Sequence, residues 1–174
     1  LLGLAGARFF SRRAGLVAGL GLALYAPAIY FDGLIQKATL DAFLFSLLLL
    51  VFAQLVDRAQ LKFSFASGAV LGLLALVREN ALVLAPLAAV FVVVAGPARP
   101  MLQRALALGL LALGLALPLL PVGLRNQAIG GAFLVTTSQL GPNLWIGNHP
   151  GASGRYRPGS PATGCDSNHG PVRQ

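Results

Sequence analysis

The chain has 174 residues and a net charge of +8, with 56% hydrophobic residues, only 10% charged ones and a mean hydropathy of +0.76. A soluble domain carries about 25% charged residues, so this composition excludes an ordinary water-soluble globule and points to a membrane protein. The basic residues are scattered between apolar runs instead of gathering on one face, which excludes nucleic acid as the partner of the positive charge.

Residues 1–14, LLGLAGARFFSRRA, read as the apolar end of a helix followed by a basic stretch at Arg8, Arg12 and Arg13. The first predicted span covers residues 15–30, uncharged, with Tyr25, Pro27 and Tyr30 near its far end. Aromatic rings gather at the membrane interface, and a proline bends or ends a helix there. FDGLIQK forms a short loop. The second span, residues 38–56, would be about 28 Å long, close to the hydrocarbon thickness. Asp57, Arg58 and Lys62 close it. The third span covers residues 63–77, where Ser67, Gly68 and Gly72 permit close helix contact.

Arg78-Glu79-Asn80 then interrupts the apolar run. One helix over residues 61–96 would measure about 54 Å, too long for a bilayer, so a turn is predicted near Arg78. The fourth span covers residues 81–95 and stops at Gly96-Pro97-Ala98-Arg99-Pro100. Arg104 starts the fifth, residues 105–122, with Pro118 and Pro121 near its exit. The expected architecture is all-α. It is a polytopic membrane helix bundle of about five spans over residues 1–122, followed by an irregular extracytoplasmic segment over residues 123–174. The chain lacks an initiator Met and stops within a polar run, so it is expected to be an internal piece of a longer protein.

Five spans place Arg8, Arg12, Arg13, Arg58, Lys62, Arg99 and Arg104 on one side, against Lys37, Arg78 and Arg125 on the other. The positive-inside rule assigns the first set to the cytoplasm and the segment after Arg125 to the outside. The chain has no Asn-x-Ser/Thr acceptor that would favour a secretory lumen. The expected location is therefore the bacterial cytoplasmic (inner) membrane, multi-pass, with the C-terminal segment outside.

Three polar groups fall on that outer side at span ends: Asp32 with Lys37, Arg78 with Glu79, and Arg125 with Asn126. Together they would line one cavity. Asp41 lies about one turn into the second span. It either faces a polar cavity or sits as an interfacial carboxylate favoured by the helix dipole. The guanidinium fork of Arg78 suits phosphate oxygens, and the alternative is a helix-end anchor. Glu79 either fixes that guanidinium or offsets its charge. Arg125 and Asn126 repeat the logic after the last span, and Lys37 reads equally as a snorkelling lysine.

Residues 139–156, QLGPNLWIGNHPGASGRY, combine glycines, prolines and asparagines into turn chemistry. Trp145 and Tyr156 offer rings for stacking on a sugar or resting among headgroups, and Asn143 and Asn148 offer hydrogen bonds to sugar hydroxyls. His149 has no carboxylate beside it to orient it as a base. Neither His149 nor His169 combines with Cys165 into metal-ligand spacing, so no metal site is assigned. The lone cysteine also excludes an intrachain disulfide.

Three pieces of the chain together resemble the bacterial integral-membrane glycosyltransferases that use polyprenyl-phosphate sugars, the superfamily of aminoarabinose transferases and protein mannosyltransferases. They are YAPAIYFDGLIQKATLDAFL (residues 25–44), SGAVLGLLALVRENALVLAP (67–86) and PVGLRNQAIGGAFLVTTSQLGPNLWIGNHPGASGRYRP (121–158). The resemblance covers over half the chain. It implies a GT-C membrane fold and an active site at the outer membrane face. It also implies inverting transfer from a polyprenyl-phosphate donor to a lipid, glycan or protein acceptor. Arg78 and the Arg125-Asn126 pair match positions near the donor. The resemblance further implies a catalytic carboxylate in a first outer loop that this chain lacks, so no catalytic residue is assigned. It leaves room for a divalent cation that no residue here demands. Many relatives carry an acidic residue where this chain has Lys37-Ala38-Thr39-Leu40, which leaves the role of Lys37 open. A transporter or flippase, or a noncatalytic membrane subunit, is the alternative function. The first would need ionisable residues near mid-membrane and an inverted repeat.

Overall fold

Helices follow the apolar runs, and the polar or proline-bearing interruptions separate them. The computed structural model describes residues 1–33, 37–58, 60–95, 100–131, 133–136 and 147–148, with the backbone alone for residues 31 and 32. Among these residues all regular structure is helical: α1 (Leu2–Phe9), α2 (Arg12–Ala23), α3 (Ala26–Gly33), α4 (Lys37–Arg58), α5 (Leu61–Val77), a 3-10 helix (Glu79–Val83), α6 (Leu84–Val94) and α7 (Met101–Gly130). Residues 1–136 form one compact unit. Of the second unit, residues 137–174, only Gly147 and Asn148 are described, both helical.

Local chemistry sets the helix ends. Ser11 caps α2, its Oγ accepting from the Ala14 amide at 3.2 Å, a standard N-cap contact. The break between α2 and α3 falls at Leu24 and Tyr25, and Pro27 sits in the first turn of α3, where its missing N–H costs nothing. Arg78 takes an extended conformation (φ −135°, ψ 108°) that ends α5 and starts the 3-10 helix. Gly131 ends α7 in the left-handed region (φ 71°), its amide donating to Gln127 O at 3.0 Å. The chain then folds back. Asn126 Nδ2 donates to Leu134 O at 2.7 Å, and the Phe133 ring covers Gly123.

The expectation of about five spans is corrected by these boundaries. Among the described residues, two helices are long and apolar enough to cross a membrane, α4 with 22 residues and α7 with 30. Residues 15–30 are divided between α2 and α3. The 17 residues of α5 rise about 26 Å, short of the roughly 30 Å hydrocarbon layer. The 11 residues of α6 rise still less, and the 3-10 turn before them belongs to the same short apolar stretch. The break at Arg78 falls where the sequence predicts it but leaves short helices on both sides, and averaged hydropathy does not register the further break at Leu24. Only 28% and 22% of the apolar windows of α4 and α7 are buried within the chain, so both helices turn most of their surface outward. A core helix of a soluble protein would do the reverse. Among the described residues the protein is all-helical, and the length, composition and outward-turned surface of α4 and α7 suit association with a membrane.

α5 is the centre of the packing. It lies closely against α7, and both backbones approach at glycine: a Cβ on Gly68 would overlap Leu111 O, and one on Gly114 would overlap Phe65 O. Gly72 meets Pro118, and Leu115 O lies 2.7 Å from where its Cβ would be. Small residues at such a seam exchange side-chain bulk for backbone proximity. The order of these contacts (Gly68 with Leu111, Gly72 with Pro118) makes α5 and α7 run in the same direction. Leu44, Leu48 and Leu55 of α4, Leu71 and Leu74 of α5, Val92 of α6 and Leu111 of α7 share one buried cluster. Phe52 and Phe91 tie α4 to α6 with ring centroids 4.6 Å apart. At one end, Arg8 of α1 donates through Nη1 to Gln54 Oε1 (3.1 Å) and Asp57 Oδ2 (2.8 Å) of α4.

Candidate functional site

The helices α4 and α5 are joined between Arg58 and Leu61. Asp41 is eighteen residues before Ala59 and Arg78 eighteen after Gln60, so antiparallel packing brings them level. Arg78 Nε donates to Asp41 Oδ2 in an ion pair between the first turn of α4 and the end of α5. The two partners differ sharply in exposure. The Asp41 side chain is 16% exposed and the Arg78 side chain 65%. Asp41 Oδ1 is buried and has no hydrogen-bond partner among the described residues. The carboxylate is therefore held by one bond, and the Nη groups of Arg78 take no part in that bond.

This pair opens onto a cleft of about 600 Å³. Ala38, Ala42 and Phe45 of α4 and Leu74 of α5 line it, with Asn80, Ala81, Val83 and Leu84 closing it from the 3-10 helix and the start of α6. Apart from Asn80 and the ion pair, the lining is aliphatic or aromatic. The polar interruption at Arg78-Glu79-Asn80 thus has a structural consequence. The extended residue and the 3-10 turn lie between α5 and α6, and Arg78, Asn80, Ala81 and Val83 from this stretch line the cleft. An apolar trough with one exposed, positioned guanidinium at its rim suits an amphiphile whose anionic head lies beside an apolar tail.

The structure distributes the sequence-predicted residues unequally. Arg78 is in the cleft. Glu79 follows it, half-buried, as the first residue of the 3-10 helix. Lys37 starts α4, exposed, at the same end of the hairpin. Arg125 and Asn126 lie within α7, not after it. Because α5 and α7 run in parallel with Gly72 against Pro118, Arg125 reaches the same end as Arg78. Arg125 is exposed, whereas Asn126 uses its amide to fasten the fold-back at Leu134. Asn148 is exposed in the second unit. Asn143, Trp145 and Tyr156 lie outside the described residues, as do His149, Cys165, His169 and the side chain of Asp32. The described residues contain no cluster of three or more His, Cys, Asp or Glu side chains able to hold a metal ion.

Sequence reasoning left Asp41 without a partner. The usable signal was its symmetry with Arg78 about the connection, which requires knowing that the two helices are joined between Arg58 and Leu61. The chain matches no known family model, no curated protein and no solved structure.

Proposed function

We propose that this protein is a glycosyltransferase of the cell envelope that takes a sugar from a polyprenyl-phosphate donor at the outer face of the bacterial cytoplasmic membrane. The observation that carries the reading is the exposed Arg78 guanidinium, held by the buried Asp41 at the rim of an apolar cleft. The order of the three sequence pieces at residues 25–44, 67–86 and 121–158 supports the same reading. In this reading the donor's isoprenoid chain lies against Phe45, Leu74, Val83 and Leu84, and its phosphate against Arg78. Arg125, exposed at the same end, supplies further positive charge.

The chemistry needs little from the protein beyond position and charge. The acceptor hydroxyl oxygen bonds to the anomeric carbon as the bond from that carbon to the phosphate oxygen breaks. The electron pair leaves with the phosphate, and the acceptor proton passes to a general base. Negative charge grows on the departing phosphate, and a positioned guanidinium stabilises it more in the transition state than in the ground state.

The test uses the protein, with any sequence that flanks these residues, in native membranes or liposomes supplied with polyprenyl-phosphate sugars. Release of polyprenyl phosphate and labelling of lipid, glycan or protein acceptors are followed together. Arg78→Ala in a correctly inserted protein is expected to lower transfer by about a hundredfold, the scale of losing one transition-state donor. Transfer unchanged by that substitution would remove Arg78 from the site. Donor binding without transfer would favour a noncatalytic lipid-binding role instead.

A further inference from the structure

The end of the helix bundle opposite Asp41 and Arg78 carries a second trough, between α1 and α2. We infer that it holds the acyl chain of an anionic phospholipid whose phosphate lies on Arg12. The inference rests on the membrane placement of α4 and α7 and is independent of the donor cleft. Arg8 of α1 bonds to Asp57 at the end of α4. Asp57 lies sixteen residues after Asp41, about 24 Å along the helix, so the two sites are separate.

The trough has a volume of about 540 Å³, and Arg12 is the one charged residue among those described that line it. Arg12, Leu16 and Leu20 recur every four residues and so share one face of α2. That face runs about 12 Å from the guanidinium-bearing residue to Leu20. Leu4 of α1 faces it, and Leu4, Leu16 and Leu20 are all more than half exposed. Gly3, Gly15 and Gly19 lie where the two helices meet, and a Cβ on Gly15 would overlap Gly3 O. With no side chains there, the trough is as deep as the backbones allow. The 12 residues of α2 rise about 18 Å, short of the roughly 30 Å hydrocarbon layer. The hairpin of α1 and α2 therefore suits one leaflet, in which a lipid's head lies at the basic turn and its chain along the leucines.

Charge complementarity names the occupant. The described charged residues at this end are Arg8, Arg12 and Arg13, Asp57 and Arg58 of α4, Lys62 of α5 and Arg104 of α7. Asp57 is the one acid, and its carboxylate is already bonded to Arg8. Arg12 and Arg13 are exposed and have no hydrogen bond or ion pair among the described residues. Both sit in the first turn of α2, where the helix dipole is already positive and no acidic residue offsets it. A phosphodiester supplies the missing negative charge, and the guanidinium fork matches its oxygens. A zwitterionic headgroup brings its own cation into a region crowded with cations, so it gains less. A small free phosphate would leave the leucine walls uncovered, which favours a lipid as the source of the anion.

The experiment places the protein, with any sequence that flanks these residues, in phosphatidylcholine nanodiscs. These contain a minor fraction of either phosphatidylglycerol or phosphatidylcholine carrying a photoreactive diazirine in the acyl chain. Crosslinked residues are mapped by mass spectrometry. Phosphatidylglycerol is expected to label Leu4, Leu16 and Leu20 about fivefold more than phosphatidylcholine does, the worth of one basic residue beside an anionic lipid. Arg12→Gln is expected to bring that ratio towards one, and Arg12→Lys to keep part of it. Unchanged phosphatidylcholine labelling of α4 and α7 shows that each variant is still folded and inserted. Arg58→Gln removes the same charge from the same end outside the trough and is expected to leave the ratio standing. Equal labelling of the trough by both lipids would overturn the inference. A loss in Arg58→Gln as large as in Arg12→Gln would overturn the site, because the preference would belong to the whole basic surface. Suppression of the labelling by soluble glycerol phosphate would overturn the lipid as occupant. Labelling of no part of the chain by either lipid would overturn the membrane placement as well.

Discussion

Replacing Gly68 with alanine tests whether the α5–α7 seam is as close as the backbone contacts require. The added Cβ would overlap Leu111 O and lie 2.9 Å from Leu115 N, and both opposing atoms are backbone that cannot rotate aside. Carbon–oxygen contacts settle near about 3.4 Å, so α5 and α7 must separate by roughly 1 Å. A gap of that size forfeits about a quarter to a half of the dispersion energy across it. The loss falls on the buried residues of the seam, among them Leu71, Ala75, Leu111 and Leu119. Overpacking of this kind costs about 1–3 kcal/mol, and the better helix propensity of alanine returns about 1 kcal/mol. The expected net loss is about 0–2 kcal/mol. Gly109→Ala is the control: its Cβ would meet nothing within 4 Å, so it should stabilise by about 0.8 kcal/mol. Gly114→Ala clashes with Phe65 O across the same seam, and one displacement relieves both clashes. The Gly68→Ala/Gly114→Ala double variant should therefore lose less than the sum of the singles. Equilibrium unfolding in detergent micelles, followed by far-ultraviolet circular dichroism, reads all four variants. Gly68→Ala proving as harmless as Gly109→Ala would refute the close seam.

Other features give separate tests under the same unfolding assay. Gly131→Ala forces a β-carbon into the left-handed region at φ 71° and should cost about 1–2 kcal/mol, visible first as fraying at the end of α7. Ser64 is fully buried with its Oγ unpartnered among the described residues, so Ser64→Ala should be neutral or stabilise by up to about 1 kcal/mol; a clear destabilisation would mean the hydroxyl has a partner. Arg8 and Asp57 are 37% and 43% exposed, so a double-mutant cycle on this pair should give a coupling of only about 0.2–1 kcal/mol that fades with added salt. Asn126→Ala removes the 2.7 Å bond to Leu134 O and should cost about 0.5–1.5 kcal/mol, with faster proteolysis after Gly131 as its local sign.

The candidate site was legible in the sequence only in part. Arg78 stands out because a polar triplet in an apolar run demands a physical reason, and the structure has a backbone break there beside a cleft. Its partner was not legible. Asp41 read equally well as an interfacial carboxylate, and choosing between those readings requires the register of α4 against α5. Asn126 shows the opposite case. Beside Arg125 it resembled a substrate contact, yet its amide closes the chain's own fold-back at Leu134, a bond that depends on the left-handed turn at Gly131.

The sequence by itself determined that the chain is helical and suited to a membrane, because hydropathy and helix propensity are local properties that add along the chain. It also foresaw the break at Arg78-Glu79-Asn80, but not the end of α2 before Pro27 or the run of α7 past residue 122 to Gly130. Tertiary structure decided how many helices reach membrane length, since residues 15–30 divide at Leu24 and Tyr25, and α5 and α6 on either side of Arg78 each fall short. It also decided which charges meet. The glycine seam fixes α5 against α7, and the short connection between Arg58 and Leu61 fixes α4 against α5. The pairing of Asp41 with Arg78, 37 residues apart, follows from the second of these registers. Such registers arise from backbone contacts between distant segments, which no local average contains.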